Sequence, residues 1–406
     1  MIVTKSRSEE NTESRYGFLI LAALFLAVSN FMLLGVYILL LLSVLYFFRR
    51  GRMPFANSVL PLFLFSIAYF FTVLMHGESA VSAAKIFVCP LIWLMSYSAA
   101  TNKDMGEIKR LFVTLSLGMA IHGVINFLYN SFLGTNLRAG LSYDFWSQAY
   151  SPSTGQAVNF TLLVAIAFWM IFLQKESKSI TIIGIVVLAI ATIYDVSIGG
   201  RTFLLLIAIA IGISLIMYIT FSFTDKTFRR RIVPLLFGIL FLIILGVILY
   251  QRDVFGIRSA YERSYLYVRL TYHNAGDLRG NDRIEKKLEY ITNASRYLWG
   301  GNYLSTKEGF GYAHELWLDT YDDAGIISYI LIVIYTFISG SHFIKVGKNT
   351  NVDHRWRIAV ITMLIIVMLQ FFVEPILSGS PMLLYSYIIM DAALTRWLYD
   401  QAVVQK

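Results

Sequence analysis

In GYAHELWLDTYDDAG, residues 311 to 325, one histidine stands among four carboxylates, just before an apolar run that begins at Ile326. Imidazole and carboxylate groups at this density suit divalent metal binding, proton transfer, or anchoring at a membrane surface. Spacing speaks against the metal. A zinc helix of the HExxH kind needs a second histidine where the chain has Leu318. Asp319, Asp322 and Asp323 also lack the alternating register of a calcium loop. As a neutral imidazole, His314 could instead take a proton from an alcohol, with Glu315 or Asp323 orienting or compensating it. Beside Trp317 it could equally serve as an interfacial polar anchor.

Four arginines offer anion chemistry. Arg201 follows Gly199 and Gly200 and precedes a long apolar stretch. An arginine at such depth is costly unless it snorkels or pairs, and the glycines would let a phosphate-bearing ligand approach the backbone. Anion binding, a pair with Asp195 and simple anchoring all fit. Arg283 opens an amphipathic stretch leading to Trp299, Gly300 and Gly301, while Arg263 and Arg269 lie in ERSYLYVR. Charge alone does not separate these three from their basic neighbours.

The elements that must position these residues are membrane helices. The 406 residues are 57% hydrophobic and only 15% charged, and the mean hydropathy is +0.64, which excludes a soluble enzyme. The net charge of +9 is gathered in short clusters: Arg49, Arg50 and Arg52; Lys109 and Arg110; Lys175 and Lys178; Lys226 with Arg229, Arg230 and Arg231; Lys345, Lys348, Arg355 and Arg357. Short basic loops mark the cytoplasmic side of a membrane protein, so nucleic acid is not the expected partner. Cys89 is the only cysteine and stands in an apolar run, which leaves no disulfide or cysteine metal cluster within one chain.

Apolar stretches of about twenty residues recur from Phe18 to Leu398, with no alternating ten-residue pattern of a barrel. The expected fold is all-α, a polytopic membrane bundle of about twelve transmembrane helices with both termini cytoplasmic. It opens with a tight hairpin at 18–48, read as retained rather than cleaved. Residues 1–250 would hold nine membrane segments with short loops, 251–324 a large extracytoplasmic loop, and 325–406 three more segments and a cytoplasmic C-terminus. The large loop carries ten basic and eleven acidic side chains. Its length predicts a folded cap with a surface helix, Ile284, Leu288, Ile291 and Tyr297 facing the membrane.

Three pieces, in this order, resemble the bacterial O-antigen ligase and Wzy-type polysaccharide polymerase superfamily. Ile198-Gly-Gly-Arg201-Thr is similar to its outer-face arginine motif, Arg283 followed by Trp299-Gly-Gly to the segment of its external loop, and His314-x-x-x-Leu318 with Asp323-x-Gly325 to its histidine motif. Glu315 and Asp323 stand where asparagine and glutamate are common in the family. The resemblance implies a GT-C-like fold and glycosyl transfer from an undecaprenyl-diphosphate-linked oligosaccharide on the outer face of the bacterial cytoplasmic membrane, with neither metal nor other cofactor. Arg201 and Arg283 would clamp the diphosphate, His314 would activate the acceptor hydroxyl, and Arg263, Arg269, Glu315 and Asp323 would support substrate binding. In a Wzy-like polymerase the acceptor is another lipid-linked glycan, with a chain-length regulator and membrane lipids as further partners. A ligase would use a lipid A-core acceptor instead. A transporter or flippase in which Arg201 recognises an anionic lipid, and a non-catalytic scaffold, are the readings outside the family.

Overall fold

Backbone in hydrocarbon has no water to bond, so long runs of Leu, Ile, Val and Phe must close their hydrogen bonds within helices. A computed structural model describes residues 7–50, 54–174, 177–222, 237–238, 241, 244–271, 282–309 and 311–404. Among them every named element is helical, with one isolated bridge between Tyr143 and Tyr150. The helices used below are α1 (Arg7–Val28), α2 (Gly35–Arg50), α3 (Leu60–Met75), α4 (Ala80–Phe87), α5 (Cys89–Ala99), α6 (Met105–Phe132), α7 (Ser153–Val158), α8 (Thr161–Phe168), α9 (Lys178–Ser197), α10 (Arg201–Ser222), α11 (Ile257–Glu262), α12 (Tyr265–Thr271), α13 (Asp282–Thr292), α14 (Leu316–Lys348), α15 (His354–Val373), α16 (Ile376–Gly379) and α17 (Pro381–Val404).

The expectation of twelve crossings does not stand. Among the described residues six helices are long and apolar enough to cross a membrane: α3 with its lead-in turn, α6, α9, α10, α14 and α15. The protein is a multi-pass, all-α membrane protein of about six long apolar helices. The other apolar runs are cut short by local chemistry. In the opening hairpin only Phe18–Val28 and Gly35–Arg49 are apolar helix, too little for a core of about 30 Å at about 1.5 Å per residue. Pro90, without an N–H, sits in the first turn of α5 and separates it from α4. After α8 the chain makes one π-helical turn, Trp169–Leu173, and leaves the helix at an extended Gln174. In α17, Asp391, Arg396 and Asp400 interrupt the apolar composition. Gly51 and Arg52, Lys175, the basic run from Lys226 to Arg231, and the start of the expected ninth segment, about 232–250, lie outside the described residues.

The chain divides into two compact units. One comprises Met1–His122, Arg283–Val346 and Leu369–Lys406; the other comprises Gly123–Asp282 and Gly347–Met368. The stretch read as one large loop is thereby shared: 251–271 belong with the second unit and 283–324 with the first.

In the first unit α17 is the innermost helix, with Leu383, Tyr385, Tyr387, Ile388 and Leu394 fully inaccessible. Halfway along it, Asp391 is a carboxylate with 1% exposure. Trp93 Nε1 donates to its Oδ2 at 2.8 Å and Tyr335 OH at 3.1 Å, while His342 Nδ1 lies 2.8 Å from Oδ1. Thr395 Oγ1 closes the group, 2.8 Å from the same imidazole nitrogen. A buried polar side chain requires this kind of enclosure, and the enclosure ties α5, α14 and α17 together.

The second unit is held by aromatic pairs and short polar links. The Trp169 and Trp356 rings meet edge to face at 5.0 Å, Phe160 and Phe203 at 6.0 Å, and Ser214 Oγ lies 3.1 Å from Thr362 Oγ1. Asn126 and Asn130, one turn apart on α6, fasten the following loop. Asn130 Nδ2 donates to the Tyr143 carbonyl and its Oδ1 accepts from the Tyr143 amide, each at 2.8 Å. Asn126 Oδ1 accepts from Phe145 N at 2.9 Å.

Candidate functional site

The histidine segment is built on a cluster of tyrosines. On α13, Ile284, Leu288 and Ile291 are exposed while Tyr290 turns inward, and Tyr297, expected on the same face, lies beyond the end of the helix and is buried in the tyrosine cluster. Tyr290 OH donates to the Gly311 carbonyl at 2.8 Å, Tyr297 OH to the Tyr290 carbonyl at 2.6 Å, and Tyr321 OH to the Ala294 carbonyl at 2.7 Å. Leu304 and Ala313 complete this core. Burial, reinforced by the Asp322 carboxylate, pushes the Tyr290 and Tyr297 phenols well above the ordinary tyrosine value. Both therefore remain protonated donors.

The helix that follows is broken. α14 begins at Leu316, ten residues before the apolar run, and Gly325 interrupts it with φ 75° and ψ −175°. The break turns the Ile326 amide to the Leu298 carbonyl at 2.9 Å. It also frees the Asp322 and Asp323 carbonyls, which accept from Asn302 N at 2.9 Å and Gly301 N at 3.1 Å. Trp299-Gly-Gly and Asp323-x-Gly325 thus meet backbone to backbone. A β-carbon on Gly300 would lie 2.7 Å from the Asp323 carbonyl oxygen, and one on Gly325 would lie 2.5 Å from the Leu298 carbonyl oxygen. Both glycines have positive φ. Gly325→Ala is expected to destabilise the first unit by about 1–3 kcal/mol, from backbone strain and loss of the crossing. Thermal unfolding in detergent measures it, and an unchanged midpoint would show that the crossing yields.

The acids around His314 act mainly on backbone. Asp319 Oδ1 accepts from Ala313 N at 2.8 Å and Oδ2 from Glu315 N at 3.0 Å, so one carboxylate grips the residues on either side of His314. His314 itself is half-buried and has φ 59°. Asp322 accepts from Leu304 N at 2.9 Å and Ser305 N at 3.1 Å. Asp323 Oδ2 accepts from Tyr69 OH at 2.9 Å, and Asn302 Nδ2 donates to Glu78 Oε1 at 2.9 Å, which seats the crossing on the end of α3. Glu315 Oε2 is 3.1 Å from Lys287 Nζ, and that ammonium also donates to the Phe372 carbonyl. Among the described residues no group of three or more His, Cys, Asp or Glu side chains is arranged to hold a metal ion.

Burial raises the Glu315 carboxyl above the ordinary glutamate value, and the Lys287 ammonium partly offsets the rise. A raised folded value means that protonation favours the folded state, so this stabilisation is full at low pH and is lost as pH rises through the folded value. Glu315→Gln is therefore expected to flatten the fall in stability just above the ordinary glutamate range. Thermal midpoints against pH for both proteins check it; parallel curves would remove Glu315 as the titrating group.

The arginines divide between the units. Arg283 lies in the first turn of α13, in the same unit as His314, and its side chain is outside the described residues. Arg201, Arg263 and Arg269 belong to the second unit. Arg201 is exposed at the start of α10. Among the described residues it makes no pair with Asp195, a fully buried carboxyl whose two oxygens have no hydrogen-bond partner there. Arg263 is exposed at the end of α11. Arg269 supports the turn before Arg201: its Nη1 donates to the Gly199 carbonyl at 2.8 Å and its guanidinium lies 5.9 Å from the Tyr265 ring centre. Gly199, at φ 77°, leaves the room that Tyr265 occupies.

Lys287, Asp319, Asp322 and Tyr69 hold the site yet were not singled out from sequence as functional. For Asp319 a signal existed, since an acid four residues after the loop and in the first turn of a helix is placed to bind free amides. Tyr69 gave none, being 254 residues from its partner. Compared with protein-family models and with curated proteins, the chain matches neither.

Proposed function

We propose that the chain is a Wzy-like polymerase, a metal-independent inverting glycosyltransferase that extends a lipid-linked glycan from an undecaprenyl-diphosphate-linked donor. The reading sets it in the bacterial cytoplasmic membrane with the His314 face outward and both termini cytoplasmic. The observation that carries it is the backbone crossing of Trp299-Gly-Gly with Asp323-x-Gly325 beside a half-buried His314. Two of the three sequence pieces that resemble the O-antigen ligase and polymerase superfamily are thus one local structure. The role of Arg201, in the other unit, rests on the resemblance alone.

In this reaction the acceptor hydroxyl oxygen attacks the anomeric carbon of the donor glycan. The bond from that carbon to the diphosphate oxygen breaks, and the electron pair leaves with the lipid diphosphate. His314 takes the hydroxyl proton. Arg283 stabilises the charge gathering on the leaving diphosphate through paired N–H groups, the role that the resemblance alone implies for Arg201. Direct displacement inverts the anomeric centre. Asp319 keeps the imidazole in place by holding the amides on both sides of it.

One feature favours a second reading. α14 is interrupted at Gly325, and broken membrane helices also form transporter sites. Purified protein in vesicles with a defined lipid-diphosphate repeat unit separates the two. Longer glycans with released undecaprenyl diphosphate are expected for the polymerase; translocated repeat units with no new glycosidic bond would overturn it.

A further inference from the structure

The first unit contains a cavity of about 640 Å³ bounded by α1, α2, α5, α6 and α17. It lies away from His314. Trp93 on α5 and Tyr335 on α14 share Asp391, and beyond that level the Asn102 amide donates to Asp400 Oδ2 at 2.9 Å, near the C-terminal end of α17. The loop after α5 and the first turns of α6 therefore sit at the end of the unit opposite the histidine segment.

The cavity has two chemistries. Leu24, Leu42, Met95, Leu111 and Ile389 give it a largely apolar lining, in which Tyr46 and Ser96 bear hydroxyls. At its rim stand Lys103, Glu107 and Arg110. Lys103 Nζ is 2.6 Å from Glu107 Oε1, with 42% and 41% of the two side chains exposed. An ion pair this open contributes little and yields readily to a competing anion. Arg110 is exposed. Among the described residues the rim thus carries two cations against one anion, beside an apolar volume typical of a small-molecule site, which spans about 300–1,000 Å³.

We infer that this cavity binds one anionic phospholipid from the leaflet at the Lys103 end, with an acyl chain between α1, α2, α5, α6 and α17 and its phosphate on Lys103 and Arg110. Apolar transfer of the chain drives entry, and the guanidinium and ammonium select the charge of the headgroup. The site is separate from glycosyl transfer and does not depend on that reading. Its consequence is a first unit whose helix seams are sealed by a selected lipid rather than by bulk bilayer.

Native mass spectrometry of the full chain in detergent tests this, with phosphatidylglycerol and phosphatidylcholine of identical acyl chains as probes. The wild type is expected to retain one phosphatidylglycerol with about tenfold preference. K103Q/R110Q should lose the preference while still taking up both lipids, and Ala99→Phe, which fills the cavity, should lose both. Equal retention of the two lipids by the wild type, or a preference unchanged in K103Q/R110Q, overturns the assignment. The wild-type and double-variant comparison is decisive even where Ala99→Phe fails to fold, and no turnover enters either measurement.

Discussion

His314→Ala is expected to lower the single-turnover rate of glycosyl transfer by about 10²- to 10⁴-fold, with donor affinity little changed. Sugar hydroxyls are weak acids, so a positioned base is felt in the chemical step and hardly at all in binding. The backbone supplies a control that alanine does not. His314 stands at φ 59°, where a β-carbon is strained and glycine is not. His314→Gly should therefore keep or slightly raise the thermal midpoint while losing the same activity, a combination that a purely structural histidine would not produce. Wild-type turnover in His314→Gly would end the assignment. Activity lost on chelation and restored by one particular divalent ion would return the segment to metal chemistry.

Asp391→Ala should be the most damaging change away from that face, costing about 3–5 kcal/mol of stability. The alanine would leave the Trp93 indole N–H, the Tyr335 hydroxyl and the His342 imidazole without their shared acceptor. In hydrocarbon no water replaces it. Asp391→Asn keeps one acceptor oxygen for Trp93 and Tyr335 and should fall between alanine and wild type. Unfolding in mixed micelles, followed through tryptophan emission, measures the series. An alanine variant as stable as the wild type would show that the network is incidental to the fold.

What could be read from sequence followed the length of each apolar run. α9 and α10 carry no charged side chain over 179–194 and 202–222, and there composition and helix coincide. The overcount of crossings came from runs of similar composition whose interruptions hydropathy does not register: Pro90 in α5, the π turn after α8, and the turn at Phe31–Leu33 that halves the opening stretch. The start of α14 was missed for the opposite reason. Asp319, Asp322 and Asp323 look like a loop, but each bonds amides or a phenol outside its own helix, and those partners are tertiary. Residue type pointed to His314 and its acids. It did not show that Asp319 grips the neighbouring amides or that Glu315 would turn to Lys287, since both depend on how the tyrosine cluster folds the loop back.

The Asp391 enclosure sets a timetable for biogenesis. Trp93 and Asp391 are 298 residues apart, so at about 5–20 residues per second the ribosome adds the second roughly 15–60 s after the first. During that interval α5 waits in the bilayer with its indole donor unserved. Closure of the first unit is thus a late event in insertion, and the half-built protein presents a polar handle to the quality-control machinery of the membrane. Substitutions at Asp391 should then be seen in cells first as shortened lifetime of the chain, before any assay of what it does.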